Sequence, residues 1–366
     1  AEAQYSGGTG DPNDPYQIWT AEQMNAIGTE PSDWDKHFKL MSDIDLAQYT
    51  SEQFNIIGYD RGFSERKPFT GVFDGNGKAI SNFTYTSTDR DRIGLFGHVG
   101  KNGKNSVIKG LRLIDPNVDA GTGIFVGAMI GSTDNATIID CCVEGGLILG
   151  ERQVGGLIGN CYESTISNCY SNANVQGIYH VGGLVGESWK SMFFRCYSNV
   201  VVTGKRDVGG LIGKNGGKIE FCYSDGDICG EHKVGGLVGY NHATLSSCYS
   251  TATVAGTKEN AGGLVGYNSG EIISCQASGN VEGNTSVGGL AGYNYYKRII
   301  HCYATGAVHG DNTVAGFVGN NNGWISFSYS TGQVIGSEFV AGFTNGGSVY
   351  LCYWDIESSG IFEGDA

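Results

Sequence analysis

Proline, positive charge and long apolar runs are all scarce in this chain. Only 5 of its 366 residues are proline, and no apolar run is long enough to span a membrane. Few prolines suit uninterrupted strand ladders, because proline has no backbone N–H to donate. The 23 lysines and arginines are outnumbered by 37 aspartates and glutamates, which gives a net charge of −14. Such an acidic surface argues against nucleic acid as a partner.

Motifs for the common metal, phosphate and nucleophile sites are missing as well. No two of the 11 cysteines are separated by two residues, which disfavours a zinc ribbon. The chain has no H-E-x-x-H, no phosphate loop and no Ser-His-Asp motif. Two acidic segments, Asp11–Pro15 and Asp74–Gly77, superficially suggest Ca²⁺, but the second lacks the distal glutamate of an EF-hand loop. We therefore expect no metal site and no cofactor. Ca²⁺ stays an alternative that no motif in the sequence supports.

What the chain does contain is one phrase repeated eight times at steps of 26 or 27 residues. The phrase reads VGGLIG, VGGLVG or a close variant, and its copies begin at Val154, Val181, Val208, Val234, Ala261, Val287, Val314 and Val340. A fixed period of this size indicates an array of stacked units, each of which contacts only its neighbours.

Each copy is followed by two further short segments rich in β-branched residues. The first is typified by ISNCYS ending at Ser171, and the second ends in glycine, as at Gly177. Gly, Asn, Ser and Asp separate the segments, which is typical of strands and turns. No stretch has helical apolar spacing over a dozen residues, so the helical half of a leucine-rich repeat is missing. We predict an all-β parallel β-helix (a solenoid) with three short strands in each coil of 26–27 residues.

In such a stack, equivalent residues lie about 4.8 Å apart and every column of the alignment becomes a ladder. Neighbours on a strand face opposite ways, so we place the cysteine column inside as free thiols and the tyrosine column outside. An asparagine column is predicted to form a ladder of turns. These three columns contain Cys141, Cys169, Cys196, Cys222, Cys248, Cys275, Cys302 and Cys352; Tyr170, Tyr197, Tyr223, Tyr249, Tyr303, Tyr329 and Tyr353; and Asn215, Asn241, Asn268, Asn294 and Asn321.

The paired glycines of the repeated phrase are a further ladder, as at Gly155 and Gly156 or Gly182 and Gly183. We expect them to form a sharp bend at the corner of each coil. The alternative is that they allow another backbone to approach closely.

The ends of the array differ from its middle. Residues 1–91 are predicted to be an N-terminal cap with lead-in strands, and residues 92–366 one continuous solenoid. The cap contains a short helix, since Thr20 and Gln23 form a capping-box pattern before Met24 and Ile27. No similar cap follows Trp354. We therefore expect either that the natural chain continues past Ala366 or that the open end makes contacts, including head-to-tail self-association.

The G-L-[IV]-G phrase with its following C-Y-S phrase resembles the GLUG-motif repeats of bacterial exported proteins, over about residues 92–354. Such repeats occur in surface adhesins, in surface-anchored peptidases outside the catalytic part, and in secreted proteins of unknown role. The resemblance implies a right-handed β-helix that is secreted or at a bacterial cell surface, and it implies no catalytic residues. The opening AEAQ fits a chain cleaved after an export signal.

Aromatic residues after the repeated phrase suggest a glycan-binding edge. Tyr240, Tyr267 and Tyr293 share a column, so their rings repeat at about the length of one sugar unit. With Trp189 and Trp324 they are the candidate glycan-binding residues. The alternative is that the rings only stack on one another and stabilise the coil.

A second candidate site is a charged turn that contains Arg206, Asp207 and Glu231. Carboxylates on neighbouring coils could serve a polysaccharide hydrolase or lyase. The preferred function is a non-enzymatic extracellular or cell-surface protein, structural or adhesive, that contacts polysaccharide or copies of itself. The alternatives are that polysaccharide-degrading enzyme, or a binding module of a larger enzyme.

Overall fold

The protein is described by a computed structural model that covers residues 4–60, 65–104 and 106–361. Its contacts divide the chain into two compact units. The first comprises the described part of Ala1–Gln176 with Leu184–Met192, and the second that of Gly177–Gly183 with Phe193–Ala366. Parallel strands on successive coils pair within each unit, so the predicted all-β parallel β-helix is confirmed. The predicted domain boundary between residues 91 and 92 lies inside the first unit and stays a prediction.

The first unit begins with the predicted short helix. The helix spans Ala21–Ile27, and the Thr20 side chain caps it by accepting a hydrogen bond from the backbone N–H of Gln23 at 3.3 Å. Met24 and Ile27 are its buried residues. A single 3₁₀ turn follows at Pro31–Asp33. None of the described helices is long and apolar enough to cross a membrane.

The strands of the first unit form two parallel sheets and one antiparallel pair. The first sheet contains Tyr16–Ile18, His37–Leu40, Val72–Asp74, Phe96–Val99, Ser106–Lys109, Ile130–Asp134, Ala136–Ile139, Ile158–Tyr162, Thr165–Ser167 and the start of Val185–Phe194. The second contains Ile44–Asp45, Ala79–Ser81, Thr84–Thr86, Arg112–Ile114, Asn117–Asp119, Ile124–Gly127, Cys142–Glu144, Leu147–Leu149, Arg152–Gly155, Tyr170–Ser171 and Asn174–Gln176. The antiparallel pair is Tyr59–Asp60 with Arg66–Lys67.

Four phenylalanine rings fill the core of the first unit near its N-terminal coils. Phe38, Phe69, Phe73 and Phe96 are all buried. The rings of Phe73 and Phe96 meet edge to face with centroids 5.3 Å apart, an arrangement that aromatic pairs favour.

A buried histidine links two coils of the first unit. The Nδ1 of His98 lies 2.7 Å from Ser132 Oγ, and its Nε2 lies 2.8 Å from a guanidinium nitrogen of Arg66. Because a guanidinium can only donate, Nε2 accepts and the proton is on Nδ1. Burial, reinforced by the Arg66 charge, lowers the pKa of His98 from 6.5 to about 4.

This histidine makes stability depend on pH. The unfolded chain protonates His98 near pH 6.5 whereas the folded chain does so near pH 4, so the unfolded state binds more protons between those values. We expect the free energy of unfolding to fall by about 3 kcal/mol as the pH drops through this window. Urea unfolding at several pH values measures it. His98→Gln should flatten the slope, whereas His301→Gln, at an exposed position, should keep it; a full slope in His98→Gln would contradict the assignment.

The second unit has the same two-sheet architecture. Its first sheet contains Ile212–Glu220, Val238–Asn241, Leu245–Ser246, Val265–Asn268, Ile272–Ile273, Ala291–Asn294, Arg298–Ile300, Val318–Asn321, Trp324–Ser326 and Ser348–Tyr350. Its second contains Tyr179–Gly182, Tyr197–Thr203, Arg206–Gly209, Tyr223–Gly235, Tyr249–Ser250, Thr253–Gly262, Gln276–Ala277, Val281–Gly288, Tyr303–Ala304, Val308–His309, Asn312–Ala315, Tyr329–Ser330, Val334–Ile335, Glu338–Ala341 and Tyr353–Trp354. A one-turn helix spans Ile356–Ser359.

Two left-handed residues divide each coil of the second unit more finely than the three phrases suggest. One precedes the first residue of the repeated phrase, as at Thr313 (φ +56°), and one precedes the cysteine position, as at Phe327 (φ +52°). Such a residue bends the chain between two short strands. As a result, the coil that begins at Asn312 contains five short strands.

The cysteine and tyrosine columns lie as predicted, with thiols inside and phenols outside. Cys248 and Cys275 are buried and all eleven cysteines are free thiols. Burial raises the pKa of the Cys275 thiol well above its usual range, so it stays protonated and acts as an apolar side chain. On the outer face, the Tyr223 ring stacks on the Tyr197 and Tyr249 rings, with centroids 4.8 Å apart on each side.

The paired glycines lie at a bend of the coil, as predicted. The second glycine of each pair, as at Gly236, begins a two-residue bend between a strand of one sheet and a strand of the other. A Cβ built on Gly235 would overlap the carbonyl oxygen of Val238 in the same coil, and one built on Gly236 would overlap that of Gly263 in the next coil. Glycine is therefore needed both for the bend and because neighbouring coils approach closely, so the face is buried and offers no surface to another molecule.

Candidate functional site

Three exposed aromatic side chains lie at one corner of the second unit. The exposed fraction is 46% for Tyr295, 58% for Tyr296 and 58% for Trp324. The backbone N–H of Trp324 donates to the carbonyl of Lys297 at 3.1 Å, so Trp324 lies one coil beyond the two tyrosines. We call Tyr295, Tyr296 and Trp324 the aromatic corner.

One residue of the aromatic corner has left-handed backbone. Tyr296 has φ +52°, in addition to the two left-handed residues, Ser286 and His301, that its coil shares with the others. The rings of Tyr295 and Tyr296 meet edge to face, with centroids 4.7 Å apart. This arrangement fixes the two rings against each other while more than half of the Tyr296 side chain stays in contact with water.

Next to the corner lies the predicted tyrosine column, whose members are in register on three successive coils. Tyr240 pairs with Tyr267, and Tyr267 pairs with Tyr293. The ring centroids of Tyr267 and Tyr293 are 5.0 Å apart with planes inclined by only 10°. The Tyr240 ring meets the Tyr267 ring edge to face at 4.9 Å. Burial raises the pKa of Tyr267 to about 12, so its hydroxyl stays protonated at neutral pH.

The stacking decides what this column can offer a ligand. Because the Tyr267 face is covered by Tyr293, a ligand in this column meets ring edges and hydroxyl groups. The Tyr293 hydroxyl already accepts a hydrogen bond from the side-chain amide of Asn322 at 2.6 Å. Flat apolar contact is therefore available at the aromatic corner, while the column supplies polar groups beside it.

Charged and polar side chains flank the corner. Arg298 is directly paired with Trp324 in the strand register. Its guanidinium lies 2.9 Å from a carboxylate oxygen of Glu271, and both side chains are at least one-third exposed. An aromatic face beside hydrogen-bonding groups is the usual composition of a site that binds sugar rings.

The remaining predicted aromatic residue lies in the first unit. Trp189 is 45% exposed and pairs in register with Tyr162, which is also exposed. The Lys190 ammonium lies 5.7 Å from the centre of the Tyr162 ring and 2.9 Å from Glu163 Oε1. Trp189 and Tyr162 therefore form a separate pair of exposed rings within that unit.

The charged turn gives the two predicted carboxylates different partners. Asp207 is buried, with Oδ2 3.2 Å from His180 Nε2. The Glu231 carboxylate, in contrast, lies 2.6 Å from the Lys258 ammonium near the surface. Arg206 is exposed and immediately precedes Asp207. A catalytic role for Arg206, Asp207 and Glu231 stays a prediction.

No group of three or more His, Cys, Asp or Glu side chains within residues 4–60, 65–104 and 106–361 is arranged to hold a metal ion. The Asp74 carboxylate of the predicted acidic turn is paired with other groups of the chain. One Asp74 oxygen accepts from the backbone N–H of Asn76 at 2.8 Å, and the other lies 3.1 Å from the Lys109 ammonium.

Sequence reasoning placed Trp324 in the site but left Tyr295 and Tyr296 out of the candidate set. The signal for them was present, since both lie within three residues of Tyr293. Their column is not aromatic in neighbouring coils, where Ser269 and Asn322 correspond to Tyr295. A search for repeated residues therefore passes over them, although an unrepeated residue on a repeated scaffold is where specificity can arise.

Comparison with known proteins identifies the repeat. The GLUG motif model matches residues 230–255, 259–282 and 283–308. Halomucin of Haloquadratum walsbyi is 30% identical over 164 residues, which is 43% of this chain and 2% of halomucin. A protein of Evansella cellulosilytica assigned as a Gly-rich membrane protein is 31% identical over 136 residues, 37% of this chain and 15% of that protein. The chain thus spans a small part of these relatives.

Among solved structures, a Bacteroides ovatus protein assigned as an immunoglobulin A1 protease aligns with 96% of this chain and 87% of its own, at 17% identity and a TM-score of 0.43. The motif match confirms the resemblance that the G-L-[IV]-G phrase predicted. This chain is a β-helix protein that carries GLUG-motif repeats.

Proposed function

We propose that this protein is a non-enzymatic extracellular or cell-surface β-helix that binds extended, uncharged glycans at the aromatic corner. The observation that carries the proposal is the exposure of Tyr296 and Trp324 on neighbouring coils. A sugar ring has an apolar face that packs on an aromatic face and hydroxyl groups that hydrogen-bond at its rim. The Arg298–Glu271 pair and the Asn322 amide supply such groups next to the rings.

The expected glycan is uncharged because of the charge of the chain. A net charge of −14 repels polyanionic sugars at long range. The proposed location rests on the GLUG repeats, which resemble those of exported proteins, and on similarity to a protein assigned as a membrane protein. Head-to-tail self-association stays a prediction.

Trp324→Ala is expected to weaken glycan binding about tenfold, equivalent to about 1.4 kcal/mol, because it removes the largest ring of the aromatic corner. Affinity gel electrophoresis in a series of soluble neutral polysaccharides, such as hydroxyethyl cellulose, xylan and mannan, measures the dissociation constant. Tyr296→Ala should produce a loss of similar size, since its ring lies in the neighbouring coil.

The matched control is Trp19→Ala, which removes a tryptophan 45% exposed in the first unit. The glycan in the gel should retard the Trp19→Ala variant as strongly as it retards the unmodified protein. Equal loss in both tryptophan variants, or no retardation in any neutral polysaccharide, would count against the proposal. New reducing ends in the same incubations, abolished by Asp207→Ala, would instead support the polysaccharide-degrading alternative.

A further inference from the structure

One column of the second unit carries a charged group on each of three successive coils. His180, Asp207 and Lys233 each precede the first residue of a repeated phrase, and their flanking residues pair in register. All three have left-handed backbone, with φ between +53° and +55°. The same position holds the uncharged Asn260 and Ser286 in the next two coils, so this cluster is confined to three coils.

Asp207, the middle residue of the three, lies between His180 and Lys233. Asp207 Oδ2 lies 3.2 Å from His180 Nε2, and Asp207 Oδ1 lies 3.9 Å from the Lys233 ammonium nitrogen. The Asp207 side chain is only 5% exposed. Its Oδ1 has no hydrogen-bond partner among the described residues, although a buried carboxylate oxygen normally has at least one.

Lys233 is held in place by aromatic rings. Its Nζ lies 4.1 Å from the centre of the Tyr240 ring and 4.9 Å from that of Tyr267. These rings cover the amine and limit its contact with water. Burial lowers the pKa of Lys233, which increases the fraction of the neutral, nucleophilic amine.

We propose that Lys233 Nζ and Asp207 Cγ condense to an isopeptide bond that joins two neighbouring coils covalently. The amine attacks Cγ, the Cγ–Oδ2 bond breaks, and Oδ2 leaves as water. Of the three protons on the lysine ammonium, one stays on the amide nitrogen and two leave with the water. His180 relays protons to Oδ2 and ends in its starting state, so the reaction needs no other reagent.

Position and burial favour this reaction at Asp207 over the other ion pairs. The folded chain holds amine and carboxyl group together, which raises their effective concentration by orders of magnitude. Exclusion of water favours loss of water from the pair. The Lys258–Glu231 pair is closer, at 2.6 Å, but its side chains are 56% and 32% exposed, so it is solvated and remains ionic.

The intact mass of the purified full-length chain tests the proposal. We expect a mass one water lower than the sequence requires. Tryptic mapping should show no cleavage after Lys233 and a branched peptide that joins the segment starting at Asp207 to the segment containing Lys233. An unmodified mass after prolonged incubation of the folded protein at neutral pH would overturn the proposal.

Two variants locate the bond. Lys233→Arg and Asp207→Ala should each restore the full mass, and circular dichroism checks that both remain folded. Water can also be lost at an Asp–Gly sequence such as Asp225–Gly226, through a cyclic imide. A loss that persists in Lys233→Arg, or that maps to such a sequence, would overturn the assignment. His180→Gln should lower the cross-linked fraction, and an unchanged fraction would contradict the proton relay.

Discussion

Replacement of Asn268 by leucine is expected to lower the free energy of unfolding by at least about 4 kcal/mol. Asn268 is fully buried in a ladder of side-chain amides. Its Oδ1 accepts from Asn241 Nδ2 at 2.9 Å, and its Nδ2 donates to Asn294 Oδ1 at 2.8 Å. It also bonds both backbone groups of Gly270. Leucine has the same branched shape but a larger volume, and it leaves these four groups without their Asn268 partner. Each buried unpaired group costs about 1–3 kcal/mol.

Urea unfolding followed by circular dichroism measures this loss. Asn199→Leu is the matched control because Asn199 is exposed, and the change there should alter stability by less than about 0.5 kcal/mol. Equal stabilities of the two variants would contradict a structural role for the amide ladder. The ladder also continues from Asn294 to Asn321, at 2.9 Å, so Asn294→Leu should be comparably destabilising.

Gly236→Ala is expected to destabilise the protein by more than about 3 kcal/mol or to prevent folding, although it adds a single methyl group. The added Cβ would overlap both the Gly263 carbonyl oxygen of the next coil and the Ser250 hydroxyl. The first of these atoms belongs to the backbone and cannot rotate away. The coils would have to separate locally, which lengthens the hydrogen bonds between them. Soluble yield and urea unfolding report the effect.

Gly103→Ala separates crowding from backbone strain. Gly103 has φ +80° and nothing within 4 Å of a built Cβ, so only the left-handed conformation opposes alanine there. The expected cost is about 1–2 kcal/mol. If Gly236→Ala cost no more than Gly103→Ala, close approach between coils would not be the reason for the glycine column.

The repeat made much of the fold predictable, because a column in the alignment is a ladder in space. The inward position of Cys248 and the outward position of Tyr223 followed from the alternation of side chains along a strand. The Asn268 ladder followed from spacing alone. The bend at the paired glycines was predicted, but not the crowding by the next coil, because a glycine forced by a neighbouring carbonyl looks the same in sequence as one forced by a bend. The left-handed bends were not predicted, because they use residues as varied as Thr313 and Phe327, which form no recognisable column.

The candidate site was less predictable. Register placed Tyr267 beside Tyr293, but only side-chain torsions decide whether two neighbouring rings expose faces or cover them. Tyr296 has left-handed backbone and Trp324 pairs with Arg298, and the exposure of both rings follows from this three-dimensional setting. The environment of Asp207 likewise depends on which side chains the two adjacent coils bring to it, here His180 and Lys233.

The sequence by itself determined the period, the parallel β-coil architecture and the residues that share each ladder, since these depend on spacing and on the alternation of side chains. The tertiary structure alone decided which aromatic faces stay open, why the glycines are required and how Asp207 is paired. Those features depend on distances between coils and on rotation about single bonds, and neither is encoded in a local pattern.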